Sequence, residues 1–396
     1  MRRPFLAALP FFLLAQAQVT LPFWHTAGPP GNTVLEEAIR TFNEGQRAYR
    51  IEARYVGDYR EAGVKLLAAL RSGGAPVLFH GELSFLPRLA QEGAALSLDP
   101  YLNGLPRDLY PEMLRTVQVK GKTFGLPLGL SVPVLYYNKD AFRARGLRPP
   151  STWAEVEEAA AKLTSRTSKG LVVSTDIWSF NALVMSLGGS LVKDGLPAFT
   201  SKDVVEALEM LHRMVQRGHA QPRNLAEAQF AVADFLRTKA FMGLGPTTAL
   251  PVVLSQTSLP FAVGMAPVPR REGGAVPLSG AALAVLKGAS PEQARGAVAF
   301  WLHFLDPKRQ AAWVRTTWYL PLRREAEREL GEFLKDPERQ GVFAQAEIGR
   351  PWSQDPEMVV WYGFLEEALE RSLKQGVKPQ VALEEAQRKA LAVERR

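Results

Sequence analysis

Imidazoles, thiols and carboxylates are the side chains that most often carry out chemistry, and their spacing here argues against catalysis. The five histidines stand at 25, 80, 212, 219 and 303. Only His212 and His219 are near neighbours. Seven residues along a helix would put both rings on one face but roughly 10 Å apart, too far to share a metal. Gly218 is also expected to end that helix before His219, so the pair reads as solvated surface. The chain has no cysteine, which removes disulfides, thiolate metal sites and thiol nucleophiles. There is no G-x-S-x-G elbow, no Walker A loop and no H-E-x-x-H. Gly73-Gly74 and Gly273-Gly274 read as turn glycines. Glu366-Glu367 and Glu384-Glu385 fall on amphipathic helical patterns and read as solvated faces. A glycosidase needs two carboxylates at no fixed sequence spacing, so a secreted hydrolase of sugars or phosphodiesters stays open as an alternative. The residues left over suit recognition: aromatic and polar side chains at turns 24–28, 57–59 and 80–83.

The surrounding elements explain why those turns matter. An apolar stretch at 19–24 reads as a strand. Leu35, Ala38, Ile39 and Phe42 recur at helical spacing within 32–43. A strand at 49–55, a helix at 59–72 and a short buried strand at 76–79 follow. This β-α-β-α-β order implies a parallel sheet with helices on its faces. Such sheets bind ligands beyond the carboxyl ends of their strands, where the three turns lie. Further on, 120–122 reads as a hairpin turn and 132–137 as a strand. Thr152 and Glu155 form the sequence signature of a capping box. Helices are expected at 201–217, 227–238, 290–305, 308–316, 356–375 and 378–394. No repeat, low-complexity tract or Gly/Ser/Pro linker appears, as expected if two lobes share several chain crossings.

The N-terminus predicts the compartment. Met1-Arg2-Arg3 is a positive n-region, 4–14 is apolar, and Ala15-Gln16-Ala17 is an A-x-A cleavage signal. This is the order of a secretory signal peptide spanning 1–17, with cleavage before Gln18. Arg2-Arg3-Pro4-Phe5-Leu6 also resembles a twin-arginine signal. The apolar run is too short for a transmembrane helix and no later stretch offers 18 unbroken apolar residues, so a soluble, extracytoplasmic protein is expected. With 396 residues, 46% of them hydrophobic, the chain can bury a large core. The net charge of +8 comes without any dense Lys/Arg run interleaved with aromatics. Nucleic acid is therefore not an expected partner, and no cofactor or metal is expected.

Phe23-Trp24-His25, Tyr59, and the block from Pro133-Val134-Leu135-Tyr136-Tyr137 through Asn138-Lys139-Asp140-Ala141-Phe142 resemble the extracellular solute-binding proteins of carbohydrate ABC importers. Gly146-Leu147, Thr152-Trp153, Gly243, Ser279-Gly280-Ala281-Ala282 and Tyr319-Leu320-Pro321 extend the likeness over essentially the whole mature chain. Within that class, Gly57–Tyr59 and Ser131-x-Pro133-Val134-Leu135-Tyr136-Tyr137 are most similar to the proteins that bind sn-glycerol-3-phosphate and glycerophosphodiesters. The resemblance implies a non-enzymatic α/β clamp of the type II, maltose-binding-protein-like periplasmic fold. One lobe would hold 18–130 with 279–321, the other 131–278 with 322–396. It also implies a monomer that closes by hinge motion and docks on a membrane permease driven by ATPase subunits.

The same resemblance implies a set of ligand contacts. Tyr59 matches a tyrosine that reaches the ligand. Glu82 matches a glutamate that accepts from ligand hydroxyls, and one carboxylate can accept from both hydroxyls of a glycerol diol. Ser131 matches a hydroxyl donor in the hinge strand, and Trp178 an aromatic wall. Gly280 would let a backbone N–H approach a phosphate oxygen, with Ser279 adding a hydroxyl. Tyr319 begins the turn at the third crossing, and Trp24 and His25 line the first strand end. Three positions depart from the pattern. Thr175 stands where a second tryptophan is usual, Thr247 or Thr248 must replace a serine, and Gln354 replaces a phosphate-binding arginine, with Arg350 close before it. Glutamine lacks the bidentate, charge-assisted grip of guanidinium on phosphate. A singly charged phosphodiester is thus expected slightly ahead of glycerol-3-phosphate, with a neutral maltose-type sugar as the alternative.

Overall fold

The computed structural model describes residues 18–352 and 356–394; the expected signal at 1–17 and Gln354 lie outside them. Leu21 and Phe23 are fully buried along Val19–His25 while Pro22 between them is exposed, the alternation of a half-covered strand. This strand pairs in parallel with Tyr49–Tyr55 and, at Phe23 and Trp24, with Leu78–Glu82. The helix Asn32–Gly45 buries Leu35, Ala38, Ile39 and Phe42, the four residues picked out by their spacing. Asp58 caps the helix Tyr59–Ser72 by accepting the Glu61 N–H at 2.8 Å. Gly73 ends it at φ 76°, a conformation that glycine adopts without steric cost.

Two five-stranded sheets organise the chain. The first runs in the order Tyr49–Tyr55, Val19–His25, Leu78–Glu82, Ser279–Val285, Gly125–Ser131, its last two strands joining antiparallel. The second runs Ala220–Arg223, Lys169–Ser174, Ala240–Pro246, Pro133–Asn138, Val263–Pro267. Only Val132 separates Gly125–Ser131 in one sheet from Pro133–Asn138 in the other. The helix Pro291–Phe304 packs on Val19–His25, and both it and Pro307–Thr317 pack on Asn32–Gly45. The last two helices, Pro356–Gln375 and Pro379–Glu394, pack on each other and on Lys202–Gln216. The C-terminal part is also tied to the second sheet by the Tyr137 hydroxyl, which donates to Glu338 at 2.6 Å.

The strand read at 76–79 begins at Leu78 and runs on to Glu82, which puts Glu82 on the sheet itself. Glu366 is not on a solvated face: it accepts the Ile177 N–H at 2.9 Å, and burial raises its carboxyl above the ordinary range. Thr152 and Glu155 do form a reciprocal capping box on the helix Trp153–Leu163. Thr152→Ala is expected to lower stability by about 1 kcal/mol, read as a lower urea midpoint with unchanged slope. No helix among the described residues is long and apolar enough to cross a membrane.

Candidate functional site

Residues far apart in the chain meet at the carboxyl ends of the first sheet. Ala281 lies opposite Glu82, Gly280 opposite Leu130 and Ser279 opposite Ser131. The register therefore places Glu82, Ser131, Ser279 and Gly280 side by side. The Ser131 and Ser279 hydroxyls are 3.0 Å apart. Gly280 has φ +132°, and a Cβ there would stand 2.1 Å from the Gly129 carbonyl oxygen. Only glycine fits this crossing of backbones.

Tyr319 reaches the same place from the segment that follows the helix Pro307–Thr317. The Leu320 N–H donates to the Leu130 carbonyl at 2.6 Å. The Tyr319 ring lies flat on Trp313, with centroids 5.7 Å apart and planes at 6°. It occupies the space where Gly129 has no side chain: a Cβ there would come within 2.8 Å of the ring. Its hydroxyl meets that of Tyr59 at 3.1 Å. Burial is the main cause raising both phenols above their usual range, and the Glu82 charge adds to it. Glu82 is exposed to solvent on one side, yet protein crowds the rest of it. That desolvation raises its carboxyl, partly countered by the Ser84 hydroxyl. The group combines two neutral phenols, two hydroxyls and one carboxylate, a set that both donates to and accepts from a polyol.

Trp178 and Thr247 stand at the carboxyl ends of the second sheet. Asp176 caps the helix Ile177–Ser186, accepting from the Ser179 N–H at 2.9 Å and the Ser179 hydroxyl at 2.8 Å, and so sets Trp178 in the first turn. Thr247 is fully buried, and its N–H donates to the Val132 carbonyl at 3.0 Å. It therefore flanks the same one-residue crossing as Ser131. Trp178 Nε1, Thr175 Oγ1 and Thr247 Oγ1 are buried without hydrogen-bond partners, each a costly state inside a protein. An apolar cavity of about 360 Å³ adjoins Trp178 and Pro246.

Trp24 and His25 belong to different surroundings. Trp24 is half-buried beneath the Arg54 guanidinium, 5.8 Å from its ring centre. His25 is buried between Phe23 and Tyr55, with ring centroids at 5.6 and 5.8 Å. Burial lowers its pKa. His80, fully enclosed beside it, has Nδ1 3.1 Å from the Thr26 hydroxyl, and burial pushes its pKa down to about 3. Arg350 is exposed and donates to the Glu347 and Gly349 carbonyls at 3.0 and 2.9 Å, so its guanidinium closes a turn of its own chain. His212 Nδ1 lies 3.0 Å from the Ser372 hydroxyl, which ties it to the helix Pro356–Gln375. No cluster of metal-ligating groups occurs among the described residues.

Trp313 and Gly129 complete the site and had not been singled out. An isolated glycine within an apolar strand pattern marks close backbone or ring approach, and Leu128-Gly129-Leu130 carried that signal.

Residues 37–341 match the model of a family described as bacterial extracellular solute-binding protein. The sn-glycerol-3-phosphate-binding periplasmic protein UgpB of Escherichia coli (strain K12) is 26% identical over 352 residues, 82% of this chain and 79% of that protein. Among solved structures, UgpB from Mycobacterium tuberculosis in complex with glycerophosphocholine superposes with a TM-score of 0.83 at 21% identity, covering 94% of this chain and 98% of that one. The sugar-binding protein MalE from Xanthomonas citri gives 0.80 at 22% identity, covering 95% and 98%. The two sheets thus form the two lobes of a maltose-binding-protein-like fold.

Proposed function

Because this chain belongs to the bacterial extracellular solute-binding proteins, which capture small sugar or glycerophosphate-type ligands for ABC permeases, we propose that its cargo is a glycerophosphodiester, with glycerol-3-phosphate the second choice. The observation that carries this reading is the meeting of Tyr59 and Tyr319, 3.1 Å apart, beside Glu82. A glycerol diol can donate both hydroxyls to the Glu82 carboxylate and still bond the phenols. Donors from the ligand would offset the desolvation that raises Glu82. The paired hydroxyls of Ser131 and Ser279 suit phosphate oxygens at the crossing between lobes. The 26% identity to a glycerol-3-phosphate-binding protein supports the same ligand class.

The diester is preferred because Gln354 stands in place of a phosphate-binding arginine and Nη1 of nearby Arg350 is already bonded to the Glu347 and Gly349 carbonyls. Neutral phenols and hydroxyls solvate one negative charge better than two. In this reading 18–130 with 279–321 and 131–278 with 322–396 move as the two lobes, hinged near 130, 279 and 321. Export by a signal cleaved before Gln18 delivers the protein outside the cytoplasmic membrane, where a monomer hands its ligand to the permease.

Calorimetric titration of residues 18–396 with glycerophosphocholine, glycerophosphoglycerol, glycerol-3-phosphate and maltose tests the assignment. One-to-one binding of a diester, tighter than the monoester and with maltose silent, is expected. Binding of maltose alone would overturn the phosphate assignment. A neutral sugar is the alternative to both phosphoesters, favoured by the Glu82 carboxylate, whose only bonded neighbour among the described residues is the Ser84 hydroxyl.

A further inference from the structure

The candidate site is chemically lopsided. The first lobe contributes phenols, hydroxyls and a carboxylate. The second lobe contributes a cavity of about 360 Å³ whose wall is almost wholly carbon, with Val172, Phe235, Leu250, Val253, Leu259 and Val263 among its lining. The cavity borders the candidate ligand contacts at Trp178. Trp178 and Pro246 belong to its wall, and Pro246 pairs with Pro133, one residue beyond the crossing at Val132. The helix Ala249–Gln256, which covers it, also touches Pro307–Thr317 on the other lobe. Among the described residues that line the cavity, the one carboxylate is Asp176, which is turned to its own helix and accepts both the N–H and the hydroxyl of Ser179.

We propose that the ligand carries an apolar group on its phosphoester, and that the second-lobe cavity takes this group while the first lobe holds the glycerol head. This inference rests on the glycerophosphodiester reading and narrows it to esters of apolar, uncharged alcohols. A carbon-lined cavity rewards burial of methylenes and methyls. A cationic alcohol such as choline would meet the rings of Tyr136, Trp178 and Phe235, but it would give up its water beside a carboxylate already engaged by a helix N-terminus; the uncharged isostere meets the same rings without that cost. The volume suits a branched alkyl or small aryl group rather than a long acyl chain.

The test compares three esters of sn-glycerol-3-phosphate by calorimetric titration: methyl, choline, and 3,3-dimethylbutyl, the uncharged isostere of choline. At about 3- to 4-fold per buried carbon, the dimethylbutyl ester is expected to bind at least ~30-fold tighter than the methyl ester, and tighter than the choline ester. Ala249→Phe and, independently, Val253→Trp fill the cavity and should erase that gain, leaving methyl ester binding within about 2-fold. Equal affinity for the methyl and dimethylbutyl esters, or preference for choline, would overturn the inference and leave the glycerophosphate reading standing. The cavity is also read without any head group, by shifts of isotope-labelled valine and leucine methyls on adding 3,3-dimethylbutanol. If the alcohol perturbs Val172, Leu250 and Val253 while no ester binds, the apolar site holds and the glycerol head is wrong. If neither alcohol nor ester binds, both fall.

Discussion

Glu82→Gln is expected to weaken glycerophosphodiester binding by about 10- to 100-fold, while the unfolding midpoint at pH 7 stays the same or rises. The affinity term follows from the loss of charge-assisted hydrogen bonds, which are worth about 1.5–3 kcal/mol each. Glutamine keeps the shape and one acceptor but offers amide hydrogens where the diol needs a second acceptor. The stability term has the opposite sign. Desolvation raises the Glu82 carboxyl in the folded protein, so holding it ionised at neutral pH disfavours the folded state. Removing that charge relieves the penalty. Titration calorimetry and thermal melting on the same samples separate the two. Loss of affinity together with a lowered melting point would instead make Glu82 a structural residue of the first sheet.

The second large effect is acid sensitivity arising from His80. Its ordinary pKa of 6.5 falls to about 3 on folding because burial penalises the charged ring, with neighbouring His25 acting in the same direction. The unfolded chain therefore binds a proton below pH 6.5 that the folded protein refuses. Stability is fully present above that pH and is lost progressively down to about pH 3. The loss approaches 1.4 kcal/mol per pH unit, about 2 kcal/mol already at pH 5. His25, also lowered by burial, adds in the same sense. Urea titrations at pH 7.5 and pH 5 should show a larger fall in stability for the wild type than for His80→Gln. Glutamine can still accept from the Thr26 hydroxyl and does not titrate. Equal falls would show that His80 takes up its proton without cost in the folded protein.

Much of this was readable along the chain because the signals are local. The helix Asn32–Gly45 was visible in four apolar residues, and the capping box of Trp153–Leu163 in Thr152 and Glu155. The β-α-β order pointed to the carboxyl ends of a parallel sheet, where Tyr59 and Glu82 stand. What escaped depends on contacts between distant segments. Tyr59 and Tyr319 are 260 residues apart, and no periodicity records that their hydroxyls meet. Trp313 carried no mark of a stacking platform, since an apolar ring on a helix reads first as core. Glu366 looked solvated because its partner, the Ile177 N–H, lies 189 residues away. The second-lobe cavity is likewise assembled from segments 136, 172–179, 231–236, 243–253 and 259–263, each unremarkable alone.

In the proposed complex the tyrosine pair beside Glu82 holds the polar end of the ligand. Calorimetric titration of Tyr59→Phe, Tyr319→Phe and the double variant tests it most directly. Phenylalanine at 319 keeps the stacking on Trp313, and each change removes only a hydroxyl. At least ~10-fold loss of affinity is expected in the double variant, with the single losses failing to add because the two hydroxyls share one hydrogen bond. Wild-type affinity in the double variant would contradict it and place the ligand elsewhere between the lobes.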